Sequence, residues 1–224
     1  MAKTKWASVV KHEDLGGNVH RIHCVADEDV NHVAGNYVIL RSTLTNPDKP
    51  EDVLKRAYSI SSAPDPSSPK DFHFTIINTG DTSAWLSERR EGDRVEFSGP
   101  WGRKFRAKPE DPDTAVHLFA TGTGFSPIGA MAISRLSGNS PVHVWWQTSH
   151  TYDEDVFATF ASNSRYHICT GENIADKVTA DPEALYFFAG DGEVIVPLCN
   201  RLLTEGVPSQ QLRTEYFFNK PPKS

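Results

Sequence analysis

A six-stranded antiparallel β-barrel followed by an α/β domain with a parallel sheet is the fold class that these 224 residues predict, and three observations predict it. Up to about residue 101, short apolar runs alternate with polar residues and are broken by turn residues, the pattern of antiparallel strands. Between residues 108 and 113 the chain turns polar and proline-containing, as a linker does. Beyond it, continuous apolar runs such as Ala115-Val116-His117-Leu118-Phe119-Ala120 alternate with helical stretches, and strands that are apolar on both faces belong to a covered parallel sheet. The expected domains are 1–107 and 112–224.

In chain order, strands are expected at 6–10, 19–25 and 36–40, with Leu15-Gly16-Gly17-Asn18 turning between the first two. Residues 46–52 read as a loop, and a fourth strand enters at Arg56. After a proline-rich loop over 64–69, strands follow at 72–77 and 94–97, with a short helix carrying Trp85 and Leu86 between them. Gly99-Pro100-Trp101-Gly102 closes the barrel domain in a tight loop. The second domain should hold strands at 115–120, 142–146, 165–169, 185–189 and 212–218, and helices at 128–136, 153–161 and 193–204.

Composition narrows the function. With 23 basic against 29 acidic side chains the formal charge is -6, which argues against a nucleic-acid binder. No run of 18 apolar residues occurs, and the opening Met1-Ala2-Lys3-Thr4-Lys5-Trp6 turns polar at once, so neither a membrane span nor a leader is expected and the address reads as cytoplasmic. Cys24, Cys169 and Cys199 are widely spaced without a CxxC, and the nine histidines form no HExxH, so no disulfide or metal site is expected.

The stretch that organises the chain is Arg56-Ala57-Tyr58-Ser59-Ile60. At strand spacing Arg56, Tyr58 and Ile60 share a face, and a guanidinium fork suits a phosphate while an aromatic ring suits a planar partner. Read alone, the same stretch is equally a half-buried strand with a snorkelling arginine. Gly80-Asp81-Thr82-Ser83-Ala84 opens a helix whose bare N–H groups are either a seat for an anion or a plain cap. Thr121-Gly122-Thr123-Gly124-Phe125-Ser126-Pro127 follows a strand and opens a helix, the context of a nucleotide turn, although Pro127 replaces the third glycine of GxGxxG. It lacks the Gly-Lys-Ser/Thr of a Walker loop and the Gly-x-Ser-x-Gly of a nucleophile elbow. Ala189-Gly190-Asp191-Gly192 repeats the strand, turn and helix grammar, and in a parallel sheet both turns open on one rim.

Arg56-Ala57-Tyr58-Ser59, Gly80-Asp81-Thr82-Ser83, Gly99-Pro100-Trp101-Gly102, the Gly122 to Pro127 turn and Ala189-Gly190-Asp191-Gly192 occur in one order across a barrel and a parallel sheet. In that order they resemble the ferredoxin-NADP reductase family over nearly the whole chain. The resemblance implies FAD in the barrel and NADH or NADPH on the sheet. It implies that Arg56 binds the flavin diphosphate, Tyr58 stacks on the isoalloxazine, Ser59 reaches the hydride-accepting N5 beside Ile60, and Gly80, Asp81, Thr82, Ser83 and Ala84 cradle the diphosphate. Thr123 would sit near the nicotinamide, and Gly122, Gly124, Phe125, Ser126, Pro127, Gly190 and Asp191 would line the same crevice. Catalysis would rest on Ser59, Tyr58 and Thr123, mostly by positioning.

Departures from the family pattern are specific. Ala189-Gly190-Asp191 stands where many members carry Cys-Gly-Pro. Thr148-Ser149-His150 and Thr170-Gly171-Glu172 lack the usual 2'-phosphate ligands, which leans toward NADH. Phe217-Phe218 is followed by a tail in place of a terminal aromatic. The absence of a C-x4-C-x2-C run implies that an iron-sulfur carrier is a separate chain. From Arg89 to Lys108 seven basic residues face three acidic ones, a surface that is either simply solvated or able to dock an acidic carrier such as ferredoxin or flavodoxin. Two other readings are a stand-alone reductase of free flavin, ferric chelates or quinones, and a non-catalytic nucleotide-binding subunit or sensor.

Overall fold

A computed structural model describes residues 3–102, 105, 114–135, 141–148, 166–170 and 174–218, the segment 166–170 by its backbone alone. The chain divides into two compact units, Met1–Arg106 and Ala107–Ser224.

The first unit is a six-stranded antiparallel sheet of β1 (Thr4–Asp14), β2 (Val19–Ala26), β3 (Tyr37–Asn46), β4 (Lys49–Ser59), β5 (Asp71–Ile77) and β6 (Arg94–Trp101), in the order β4-β3-β6-β1-β2-β5. Its outermost strands approach each other where the Ser61 N–H donates to the His73 carbonyl at 2.8 Å, so the sheet curls into a barrel. Period-two alternation explains the interior. Ile22 and Cys24, Val38 and Leu40, Phe72 and Phe74, and Val95 and Phe97 all turn inward and are buried. Each fully buried aromatic or aliphatic side chain contributes about 1.5–3 kcal/mol of transfer free energy. Helix α1 (Asp81–Ser87) plugs this core with Trp85 and Leu86, and the Trp85 indole N–H donates to Thr43 Oγ1 at 2.9 Å.

The loop expected over 46–52 is instead a tight hairpin. Asn46 Oδ1 accepts the Asp48 N–H at 3.0 Å, and strand β4 already begins at Lys49. Pro50 is compatible with this because β4 is an edge strand, where a missing donor leaves no ladder bond unmade. A second feature that alternation does not show is the bulge between Val9 and Lys11, where Val10 and Lys11 are exposed in succession.

The second unit is a five-stranded parallel sheet of β7 (Val116–Thr121), β8 (Val142–Thr148), β9 (Tyr166–Thr170), β10 (Leu185–Asp191) and β11 (Leu212–Phe218), in the order β11-β10-β7-β8-β9. Chain order reverses between β7 and β10, so the topological switch point lies between those two strands. Helix α2 (Phe125–Ser134) covers one face. The Phe125 ring stacks on Trp146 at 4.0 Å, and Gly129 leaves the room that ring needs. Helix α3 (Gly192–Thr204) covers the other with Ile195, Leu198, Cys199 and Leu202, an i, i+3, i+4, i+7 stripe packed against Phe119, Tyr186 and Phe188. Helix α2 starts three residues before the expected Ile128, because a 3-10 turn over Gly122–Gly124 leads straight into it. The helix expected at 153–161 lies outside the described residues.

Two histidines, the half-buried His73 and the buried His117, tie stability to pH. Burial, with the stacked His23 ring 4.7 Å away, holds His73 down to about 3, and burial beside His143 holds His117 down to about 4. Both values lie below the free imidazole value, so the unfolded chain binds protons that the folded rings refuse. This contribution is complete above about pH 6.5 and is lost as pH falls toward those folded values, by up to about 1.4 kcal/mol per pH unit for each ring. A urea midpoint lower at pH 5 than at pH 7 is the expected result. Equal midpoints would show that the two rings are not held neutral.

Candidate functional site

In the first unit the candidate residues gather at the C-terminal end of β4. Tyr58 pairs with Val38 and Arg56 with Leu40 across the β3 ladder, so period-two spacing puts them on one face. Arg56 is exposed, and among the described residues its guanidinium donates only to the Lys55 carbonyl, at 3.1 Å. Tyr58 is half-buried and leans on Phe74, with centroids 6.2 Å apart. Burial pushes its phenol up to about 12 against the opposing pull of Arg56, so the ring stays neutral. Ser59 and Ile60 are buried where the strand ends.

Helix α1 packs against β3, β4 and β5. Gly80 is its extended N-cap, and Ser83 does the capping: its Oγ accepts the N–H groups of Thr79 and Gly80, both at 3.0 Å, and donates to the Gly80 carbonyl at 2.7 Å. Ala84 N–H closes the first helical bond onto Gly80 O at 2.8 Å. The N–H groups of Asp81 and Thr82 have no acceptor among the described residues, so this start keeps two donors bare.

In the second unit the two glycine turns are not merely on one rim; they interlock. A Cβ on Gly124 would collide with the Ala189 carbonyl and lie 2.8 Å from Gly190 N, and a Cβ on Gly190 would collide with Thr121. Gly190 also has φ +131, a conformation that favours glycine. Where the β7·β10 ladder ends at Ala120 and Ala189, the Asp191 N–H donates to Thr121 Oγ1 at 2.7 Å. Trp146 holds the other turn from beneath, its indole N–H donating to the Gly122 carbonyl at 2.9 Å. Thr123, Phe125, Ser126 and Pro127 are buried, so a ligand at this turn would meet Gly122 and backbone before their side chains. Asp191 is the N-cap of α3, its carboxylate accepting the Glu193 N–H at 2.9 Å.

Of the basic segment from Arg89 to Lys108, the described arginines are engaged within their own unit. Arg89 lies over Trp85 at 4.7 Å and 3.7 Å from Asp93, Arg90 donates to the Ser87 carbonyl at 3.1 Å, and Arg94 pairs with Asp27. Arg103, Lys104, Arg106 and Lys108 fall outside the described residues, as do Ser149, His150, Gly171 and Glu172. No group of three or more His, Cys, Asp or Glu among the described residues could hold a metal ion. Burial pushes the thiols of Cys24 and Cys199 up to about 12, which makes both poor nucleophiles. No described helix is long and apolar enough to cross a membrane.

Comparison with known proteins matches residues 7–105, almost all of the barrel unit, to the oxidoreductase FAD-binding domain. Over 107 residues the chain is 34% identical to ferredoxin-NADP reductase B of Sorangium cellulosum, a match covering 48% of this chain and 43% of that protein. Over its barrel unit the chain is thus similar to FAD-binding oxidoreductases, among them a ferredoxin-NADP reductase. A second relative, the ferredoxin-NAD(P)(+) reductase CarAd of Metapseudomonas resinovorans, is 27% identical over 186 residues, covering 73% of this chain and 55% of its own length. The chain therefore spans about half the length of these two relatives. Among solved structures the Amycolatopsis cytochrome P450 reductase GcoB superposes with a TM-score of 0.79 at 18% identity, covering 96% of this chain and 70% of that one, which establishes the shared fold. The expected antiparallel barrel and parallel sheet are both present here. Thr121 heads the glycine motif without an expected role of its own, and Trp146 lies outside every motif, yet both hold the turns in place. Their signal is weak in sequence, a hydroxyl on the last residue of a strand and an indole in an apolar run.

Proposed function

We propose that the chain is an NAD(P)H-dependent flavoprotein reductase that takes hydride from NADH or NADPH onto FAD and passes the electrons to a separate carrier such as ferredoxin or flavodoxin. One observation carries this reading: a barrel matched to the FAD-binding domain and two interlocked glycine turns at the switch point of a parallel sheet occur in one chain.

The residues present fit both groups. Arg56 offers an exposed fork for a diphosphate, and the bare N–H groups at the start of α1 offer further donors. Tyr58 offers a neutral ring face, and Ser59 a hydroxyl beside it. On the sheet, Gly122 presents no side chain to a dinucleotide, and Gly124 and Gly190 let the two turns close on each other. FAD, when bound, supplies the conversion of a two-electron hydride into single electrons. This chain's share is to bind, orient and exclude water, and none of its described thiols is placed to react.

The purified protein is expected to be yellow, with flavin absorbance that bleaches when NADH or NADPH is added without oxygen. A colourless protein that FAD cannot reconstitute would overturn the proposal. Reoxidation by added ferredoxin or flavodoxin, compared with ferric chelate or quinone, then distinguishes the carrier from a small acceptor.

A further inference from the structure

We infer that Thr121 is the positioning residue that fixes the nucleotide crevice, by tying one glycine turn to the other through its side chain. The inference rests on the proposed binding of a nicotinamide nucleotide at those turns.

Strands β7 and β10 are held by regular backbone pairing only as far as Ala120 and Ala189. Beyond that point β7 ends at Thr121 and enters the Gly122–Gly124 turn, while β10 runs on to Asp191 before α3 begins. There the β10·β11 register also slips, between Gly190 and Asp191. The β7·β10 ladder thus stops, and the β10·β11 ladder slips by a residue, at the place where a binding surface needs its spacing held.

The Thr121 hydroxyl takes over. It accepts the Asp191 N–H at 2.7 Å, and the same residue presses on Gly190 closely enough to forbid a Cβ there. The bond also serves α3. Asp191 is that helix's N-cap, so Thr121 holds the cap backbone while the Asp191 carboxylate holds the Glu193 N–H. Neither the turn nor the helix start can then shift without breaking a short hydrogen bond. A β-branched residue is well suited to this, because its restricted χ1 keeps the hydroxyl aimed.

Thr121→Val keeps the shape and removes the acceptor, whereas Thr121→Ser keeps the acceptor. In the FAD-loaded full chain, Thr121→Val is expected to raise KM for NADH or NADPH about five- to tenfold while kcat changes less than about twofold, as loss of one partner of a partly buried N–H implies. Thr121→Ser should stay within about threefold of the parent KM. FAD content and the flavin spectrum should be the same in all three proteins. A Val variant with the parent KM, or a Ser variant as impaired as the Val variant, would overturn the inference alone. A parent protein that binds FAD but neither NADH nor NADPH would overturn the functional reading, and this inference with it.

Discussion

Gly124→Ala is expected to abolish nicotinamide nucleotide binding and to destabilise the α/β unit by about 1–3 kcal/mol, the range for forcing extra volume into a packed site. The atoms that a Cβ would meet are the carbonyl of Ala189 and the amide nitrogen of Gly190, all of them backbone. No rotamer change can relieve such a clash, so either the turn moves outward or β7 and β10 separate. Either movement breaks the geometry that Thr121 and Trp146 maintain. Gly80→Ala is the control: it has extended backbone at φ -169 and nothing within 4 Å of a Cβ. It should leave both the urea midpoint and nucleotide binding unchanged. A Gly124→Ala protein that matched the parent in both measurements would show that the turns are not in contact.

Arg56→Ala is expected to cost about 1.5–3 kcal/mol of FAD affinity, the range for a hydrogen bond to a charged group, or roughly ten- to a hundredfold in Kd. Its fold should be unaffected, since the side chain is exposed and its described bond is to the carbonyl of its own neighbour. That separates it from Arg41, which pairs with Glu96 at 3.0 Å, and from Arg94, which pairs with Asp27. Arg56→Lys should recover only part of the loss, because an ammonium cannot make the bidentate contact. Retention of flavin through gel filtration measures it directly. Full retention by the alanine variant, with an unchanged dissociation constant, would remove Arg56 from the site.

Local pattern carried much of this far. The alternation of Ile22 with Cys24 and of Phe72 with Phe74 is visible as sequence, and it is also what the barrel interior uses. The run at 115–120 needed only its lack of polarity to read as a covered strand. Arg56 and Tyr58 could be placed on one face because strand period does not depend on what lies across the ladder. The hairpin at Asn46 escaped notice because Pro50 looks like a loop residue until one knows that β4 is an edge. The bulge at Val10 has no residue signal at all.

By itself the sequence determined the two kinds of sheet, the glycine turns and the barrel strand with its arginine and tyrosine, since each depends on residues within a few positions of one another. Only the tertiary structure decided that β7 lies beside β10, about 70 residues away along the chain, and hence that Gly124 and Gly190 touch and Thr121 bridges them. Strand order is a property of long-range packing. No short window of sequence encodes it, and the spacing of the glycine crevice follows from it.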